Sequence, residues 1–510
     1  MGRGTLFGAL ANLVNLATRF LTVPIVIGHL GLGGYGIWSI IMTSAGYMRF
    51  GTAGLKSAFQ KYVAEATASG DFHHVNQLIT TGSLVMLIMS VLGLVPVVVF
   101  AKDLASFAGV PTEFQSATAS SLALLALIMI LSNFGAVYEA IIMGTQRVDV
   151  VKKFTIVLSV LECAAIVSAL HFGRGLFAMT VVMVTSEVAL IVCCYWASAR
   201  LLPQIKISFK HLSKSVIGEL IRFAGSYQLV NVLEILYASI LPFAILRLFG
   251  AQASGIYAVC GRLIMATMVL QEASVLPLLS RGAVVFASGA GEQARLLMNK
   301  AIKWTLMVTV FPLGFIAVFG TTVVTAWTGQ DDPLFRAALW LISLAALFKG
   351  VSMAGLILYR ATGAALLDNV RQVLRIGALV LVVSVGKFLQ FYGLLAGLAV
   401  AELIGAVFML YALRKTVPAF NPWDVIPHAA KIVLAAAMML AVGALATVIP
   451  VPRMLNLNLD AWVTITLAGA GCLLAAWPAV SLTKCLSSAE QRTILDICLR
   501  GRQRLATANS

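Results

Sequence analysis

Apolar residues run in blocks of about twenty along nearly the whole chain, with short polar breaks between them. A helix needs about 20 apolar residues to cross a hydrocarbon layer. On that measure the blocks predict fourteen spans, near 4–28, 35–57, 78–101, 118–142, 153–171, 175–198, 220–245, 254–278, 303–327, 334–358, 375–391, 393–413, 429–450 and 460–483. Runs this long without two-residue alternation predict helices, which satisfy their own backbone groups inside lipid, rather than a barrel. The breaks His171–Gly175 and Gln390–Gly393 are so short that they fix the borders of spans five, eleven and twelve only loosely. The expected fold class is all-α, a polytopic integral membrane protein.

The pattern is also duplicated at an offset of 219 residues. Gly31, Gly36 and Ile37 recur as Gly250, Gly255 and Ile256, and Leu10 and Asn12 recur as Leu229 and Asn231. Ala68-Ser69-Gly70 recurs as Ala287-Ser288-Gly289. Gly144, Asp149 and Val151 recur as Gly363, Asp368 and Val370, with Lys152 answered by Arg371. Span one thus matches span seven, an even number of crossings apart, so the two six-helix repeats run parallel and are related by an axis along the membrane normal. The expected organisation is an N-lobe over 1–205 (spans one to six), a C-lobe over 206–420 (spans seven to twelve), and spans thirteen and fourteen with a tail over 421–510. Duplicated halves in a membrane chain point to a transporter with its site where the halves meet.

Composition agrees: 60% hydrophobic and 11% charged residues over 510 positions leave no water-compatible surface. Sorting Lys and Arg by loop puts 26 on one side and six on the other, which predicts both termini in the cytoplasm. The net charge of +16 then reflects topology and contact with anionic membrane lipids, and calls for no nucleic acid. The cysteines lie in spans or on the cytoplasmic side, so no structural disulfide is expected. There is no phosphate loop of the G-x-x-x-x-G-K-[ST] type, no H-E-x-x-H, no paired C-x-x-C and no nucleophile elbow. No cofactor is expected, and the six histidines at span ends or in loops give no mid-membrane metal site.

Charges inside apolar spans each cost about 2.5–3.5 kcal/mol on insertion scales and demand a reason. The basic ones are Arg19, Arg49, Arg262 and Lys349. Asn12, Asn15 and Arg19 share a helix face, as do Ser39, Thr43, Gly46 and Arg49. Asn231 and Glu234 follow Asn12 and Asn15 by the repeat offset, so the first helix of each half turns an equivalent polar face inward. The four cations are not duplicated: their repeat-mates are Ala238, Met268, Thr43 and Ile130. Either they converge on a cavity that binds an anionic group, with guanidinium forks suited to phosphate oxygens, or they pair with Glu162, Glu187, Glu234 and Glu402, which also lie in spans.

These residues carry a resemblance. Leu30, Gly31, Tyr35, Gly36 and Trp38, after a first span kinked at Pro24, resemble the early signature of polysaccharide flippases. Gly54-Leu55, Tyr62-Val63-Ala64, Ala68-Ser69-Gly70-Asp71 and Gly144-Thr145-Gln146-Arg147 resemble the same family, the O-antigen and exopolysaccharide exporters of the multidrug/oligosaccharidyl-lipid/polysaccharide exporter superfamily. The resemblance implies a bacterial inner-membrane flippase for undecaprenyl-diphosphate-linked oligosaccharide, serving lipopolysaccharide or exopolysaccharide synthesis beside a polysaccharide polymerase and glycosyltransferases. Its implied substrate-binding residues are Arg19, Arg49, Arg262, Lys349, Asn12, Asn15 and Asn231. Coupling to protons, sodium or membrane potential through Glu234 or Glu402 is left open. Thr52 stands where many relatives have an acidic residue before the Gly-Leu of span two. Alternative readings are a cation-coupled multidrug antiporter of the same superfamily, and a membrane glycosyltransferase or polymerase.

Overall fold

The computed structural model describes residues 3–50, 53–287, 291–362, 365–417, 420–448, 457–487 and 490–491. Among them there are helices and connecting turns but no strand. The helices are α1 (Arg3–Phe50), α2 (Ala53–Ser69), α3 (Phe72–Val99), α4 (Ala101–Phe107), α5 (Thr112–Gly144), α6 (Val148–His171), α7 (Leu176–Leu201), α8 (Lys214–Ala287), α9 (Gly291–Thr328), α10 (Leu334–Thr362), α11 (Ala365–Ser384), α12 (Gly386–Thr416), α13 (Val425–Ala446) and α14 (Leu457–Leu482).

Two of these helices are long pairs bent at a glycine, and α12 has a further break at Gln390 (φ 58°, ψ −178°). The backbone leaves helical geometry at Gly31 in α1 (φ 70°, ψ 172°) and at Gly250 in α8 (φ 83°, ψ −177°). Both sit in the positive-φ region where a side chain is strained, so glycine is required at each bend. The two positions are repeat-mates, and the duplication seen in sequence is therefore a duplication of backbone geometry. Each bent helix supplies two arms. Counting the arms separately gives the fourteen expected spans, with α2 and the short α4 outside that set. Among the described residues, eleven helices, the bent ones each counted once, are long and apolar enough to cross a membrane.

Three borders differ from expectation. Span two ends at Phe50, and α2 follows as a separate helix. Its buried residues Phe59, Tyr62, Val63 and Ala66 fall at i, i+3, i+4 and i+7, while Lys61 and Glu65 form an exposed i,i+4 pair at 3.6 Å. Span eleven runs over Ala365–Ser384 rather than 375–391, and span twelve, expected over 393–413, follows the break at Gln390 inside α12 and ends at Thr416. The cause is a polar stripe. Asp368, Arg371, Gln372 and Arg375 recur at i, i+3, i+4 and i+7 and are all buried, whereas Leu366, Val370, Val373, Leu374 and Leu381 are exposed. The helix is polar on its protein face and apolar toward lipid. A hydropathy average cannot see that division, and it displaced Arg371 and Arg375 into a loop.

The chain packs as two compact units, residues 1–262 with 365–401, and residues 263–364 with 402–510. In the first, α2, α3 and α5 share a core of Phe59, Val63, Leu78, Ile79, Met86, Val137 and Ile141. The connector between α7 and α8 is pinned to this core. Ile205 and Ile207 pack against it, the Asn76 amide donates to the Gln204 carbonyl (3.1 Å) and accepts from the Lys206 N–H (3.0 Å), and Thr81 accepts from the Ser213 N–H (3.1 Å). In the second unit, α13 and α14 pack on α9 around Phe319, Met439, Ala468 and Cys472. There Lys303 holds Glu490 at 2.6 Å, tying the segment after α14 to α9.

Asn76 satisfies two backbone groups of the connector, and an orphaned buried group costs about 1–3 kcal/mol. Asn76→Leu is expected to speed amide hydrogen exchange across 204–206 by tenfold or more while leaving exchange in α13 and α14 unchanged.

Candidate functional site

The intramembrane charges fall into two groups. The first is paired. In α11, the Arg371 guanidinium donates to Asp368 (3.0 and 2.8 Å), with both side chains buried. The repeat-mate Asp149, at the start of α6, is held by Arg147 (3.2 Å) and Lys153 (3.6 Å). A carboxylate in the first turn of each helix also meets the positive end of its dipole. The duplicated Asp149 and Asp368 thus anchor the starts of equivalent helices. Lys56 on α2 donates to Glu139 on α5 at 2.6 Å.

One paired cluster crosses from α8 to α11. Arg375 is only 1% exposed, stacks its guanidinium 3.8 Å above the Tyr237 ring, and reaches the Glu234 carboxylate at 3.5 Å. It also donates to Gln372, which in turn donates to Glu234. Stacking and a carboxylate together let a guanidinium sit in a low-dielectric interior. Sequence reasoning missed Arg375, Gln372 and Tyr237. The available signal was the helical spacing of the α11 stripe through residues assigned to a loop.

Two of the glutamates expected to neutralise the site cations, Glu187 and Glu234, have other partners. Glu187 on α7 accepts from Ser132 on α5. Beside it, Asn133 donates to the Met48 carbonyl (3.1 Å) and to Ser90 (3.0 Å), joining α1, α3 and α5. Glu234 belongs to the Arg375 cluster. Glu402, 3% exposed in α12, lies in the second unit.

The second group is Arg262 and Lys349. Arg262, half-buried in the second arm of α8, makes no ion pair among the described residues, and neither does Lys349 in α10. Tyr35, on the second arm of α1, is buried and its hydroxyl has no hydrogen-bond partner among the described residues. Arg19 and Asn12 lie exposed on the first arm of α1. Asn15 is partly a structural tie, accepting from Ser159 on α6 at 2.8 Å. The side chains of Arg49 and Asn231 lie outside the described residues.

The cations of these helices thus divide into those that form ion pairs between or within helices and others, Arg262 and Lys349 among them, that form none among the described residues. Comparison with known proteins gives the family and the fold. The sequence family described as "Polysaccharide biosynthesis protein" matches residues 33–332. No curated protein matches the sequence. Among solved structures, the fold is similar to the lipid II flippase MurJ in an inward closed conformation (TM-score 0.66, 13% identity, 94% of this chain and 99% of that one). It is also similar to an inward-facing multidrug resistance MATE family transporter of the MOP superfamily (0.62, 15%, 81% and 96%), and to a MOP superfamily transporter from Pyrococcus furiosus (0.56, 14%, 82% and 93%).

The two groups of charges differ in what their loss does to stability. Glu234→Ala leaves the buried Arg375 without its carboxylate and is expected to cost about 3 kcal/mol. It should therefore lower the unfolding temperature of the detergent-solubilised protein by several degrees. Arg262→Ala is expected to leave that temperature unchanged or slightly raised. Equal losses in both variants would contradict the division.

Proposed function

The chain belongs to the polysaccharide biosynthesis protein family, and from that premise we propose that it is a flippase. Its substrate is undecaprenyl-diphosphate-linked oligosaccharide, moved from the cytoplasmic to the periplasmic leaflet of a bacterial inner membrane during surface polysaccharide synthesis. The observation that carries the reading is Arg262, an intramembrane guanidinium that no repeat-mate duplicates and no described carboxylate neutralises. A charge left in a spanning helix at a cost of a few kcal/mol calls for a ligand that repays it. A diphosphate does so through bidentate, charge-assisted hydrogen bonds.

In this mechanism the headgroup enters from the cytoplasmic side and meets Arg19, Arg49 and Arg262, with Lys349 adding charge. Asn12, Asn15 and Asn231 supply neutral hydrogen bonds. The polyprenyl tail stays in lipid beside the first arm of α8 and helices α13 and α14. Alternating access then exposes the headgroup to the periplasm. Proton or sodium coupling through Glu234 has to break its contact with Arg375 first, while Glu402 is the second coupling candidate.

A multidrug antiporter built on the same fold has to bind cations, and calls for available carboxylates. Here Glu187 accepts from Ser132 and Glu234 is neutralised by Arg375. Arg262, by contrast, makes no ion pair among the described residues, and that favours an anionic substrate.

Arg49→Ala and Arg262→Ala are each expected to abolish surface polysaccharide in a deletion strain complemented with the variant, with membrane levels of the protein unchanged. Normal polysaccharide in both strains contradicts the anion-binding assignment.

A further inference from the structure

The connector between α7 and α8 is fixed from within and open outward. Ile205 and Ile207 pack into the core beneath it, and its backbone is tied to α3 at Lys206 and Ser213 by the Asn76 and Thr81 side chains (3.0 and 3.1 Å). Between those ties lies a single helical turn, Phe209–His211. There the His211 N–H donates to the Ser208 carbonyl (2.9 Å) and the Leu212 N–H to the Phe209 carbonyl (3.2 Å). The His211 ring meets His73 of α3 edge to face at 6.1 Å. The same turn leaves Phe209 82% exposed, with Leu212 exposed beyond it. A slack loop can fold such a ring inward; one tied at both ends cannot, so the ring needs cover from outside.

The surroundings of that ring are basic. Lys206, Lys210 and Lys214 are exposed and make no ion pair among the described residues, and neither does Arg200 at the end of α7. No acidic residue occurs between Glu187 and Glu219. Asp71, at the start of α3, caps that helix by accepting from the His73 and His74 N–H groups (3.2 and 3.4 Å). Aromatic residues mark the depth. Tyr195 and Trp196 are exposed near the end of α7, and the Arg200 guanidinium stacks 3.6 Å over Trp196. Exposed tyrosine and tryptophan with a cation just beyond them are the pattern of a membrane–water interface. The connector begins directly after this belt, at the level of the lipid headgroups.

We infer that the α7–α8 connector is a binding surface for an anionic phospholipid leaflet. Phe209 and Leu212 are seated at the boundary between headgroups and acyl chains, and Lys206, Lys210, Lys214 and Arg200 meet the lipid phosphates. The occupant is lipid rather than a protein partner, because the patch follows directly on a spanning helix and sets cations of one sign around an apolar centre. An anionic bilayer surface complements that combination. The side is the one on which Lys and Arg collect in the sequence, expected to be cytoplasmic. Since Asn76, Thr81 and the shared core tie the connector to α3, bound lipid sets the depth of that packed group of helices in the leaflet. The surface is separate from the proposed substrate cations and does not depend on what Arg262 binds.

The test places benzoylphenylalanine at position 209 of the full-length protein, in vesicles of about four parts phosphatidylcholine to one part phosphatidylglycerol. Irradiation is expected to give lipid adducts in which phosphatidylglycerol is enriched about threefold over its share of the vesicle, with the enrichment lost in about 1 M salt. Adding Lys206→Gln, Lys210→Gln and Lys214→Gln is expected to return the adducts to the vesicle composition without reducing their amount. Adducts to a second copy of the chain in place of lipid, or no adduct at all, overturn the connector as a lipid seat. Adducts at the vesicle composition in low salt overturn the recognition of anionic lipid, and so does an enrichment that neither salt nor the three substitutions lower. The salt series needs no lysine substitution, so the outcome does not hang on the triple variant inserting normally.

Discussion

Charge inside a hydrocarbon layer has to be neutralised, hydrated or matched by a ligand, and that constraint orders most of what is polar in this protein. Asp368 with Arg371, Glu139 with Lys56, and Glu234 with Arg375 are neutralised in place, and each pair joins or anchors helices. Arg375 shows how far the constraint reaches. A guanidinium at 1% exposure is tolerated because it has a carboxylate, an amide oxygen and an aromatic face around it. Arg262 makes no ion pair among the described residues. The difference between those two arginines, one paired within the protein and one not, is the basis on which an anionic substrate is proposed.

The second organising element is the duplicated glycine geometry. Gly31 and Gly250 bend two long helices at equivalent points, and Gly36 and Gly255 let the arms beyond the bends meet backbone to backbone. The duplication thus supplies the symmetric scaffold, whereas the substrate chemistry lies in the residues that break the symmetry. Arg262 has Thr43 as its repeat-mate, and Arg375 has Ile156. A scaffold can be copied without loss, but a single headgroup needs only one set of cations.

Most of the fold was legible in the residues, because span length and the 219-residue offset are backbone-level signals that survive divergence. The bends were marked by their glycines. The start of α11 was not legible, since averaging hydropathy over its first two turns mixes Asp368, Arg371, Gln372 and Arg375 with the lipid-facing Leu366, Val370 and Val373. Only the helical spacing separates the two faces. In the site, Arg262 was readable as an intramembrane charge. Asn15, read as part of a polar substrate face, also serves as a tie to Ser159.

The most direct measurement is the movement of a fluorescent undecaprenyl-diphosphate oligosaccharide between leaflets of proteoliposomes, followed by quenching of the probe in the outer leaflet. The account predicts that protein accelerates the exchange, that undecaprenyl diphosphate competes while uncharged undecaprenol does not, and that Arg262→Ala removes the acceleration. Exchange no faster than in protein-free liposomes, or equal competition by the uncharged lipid, would contradict it.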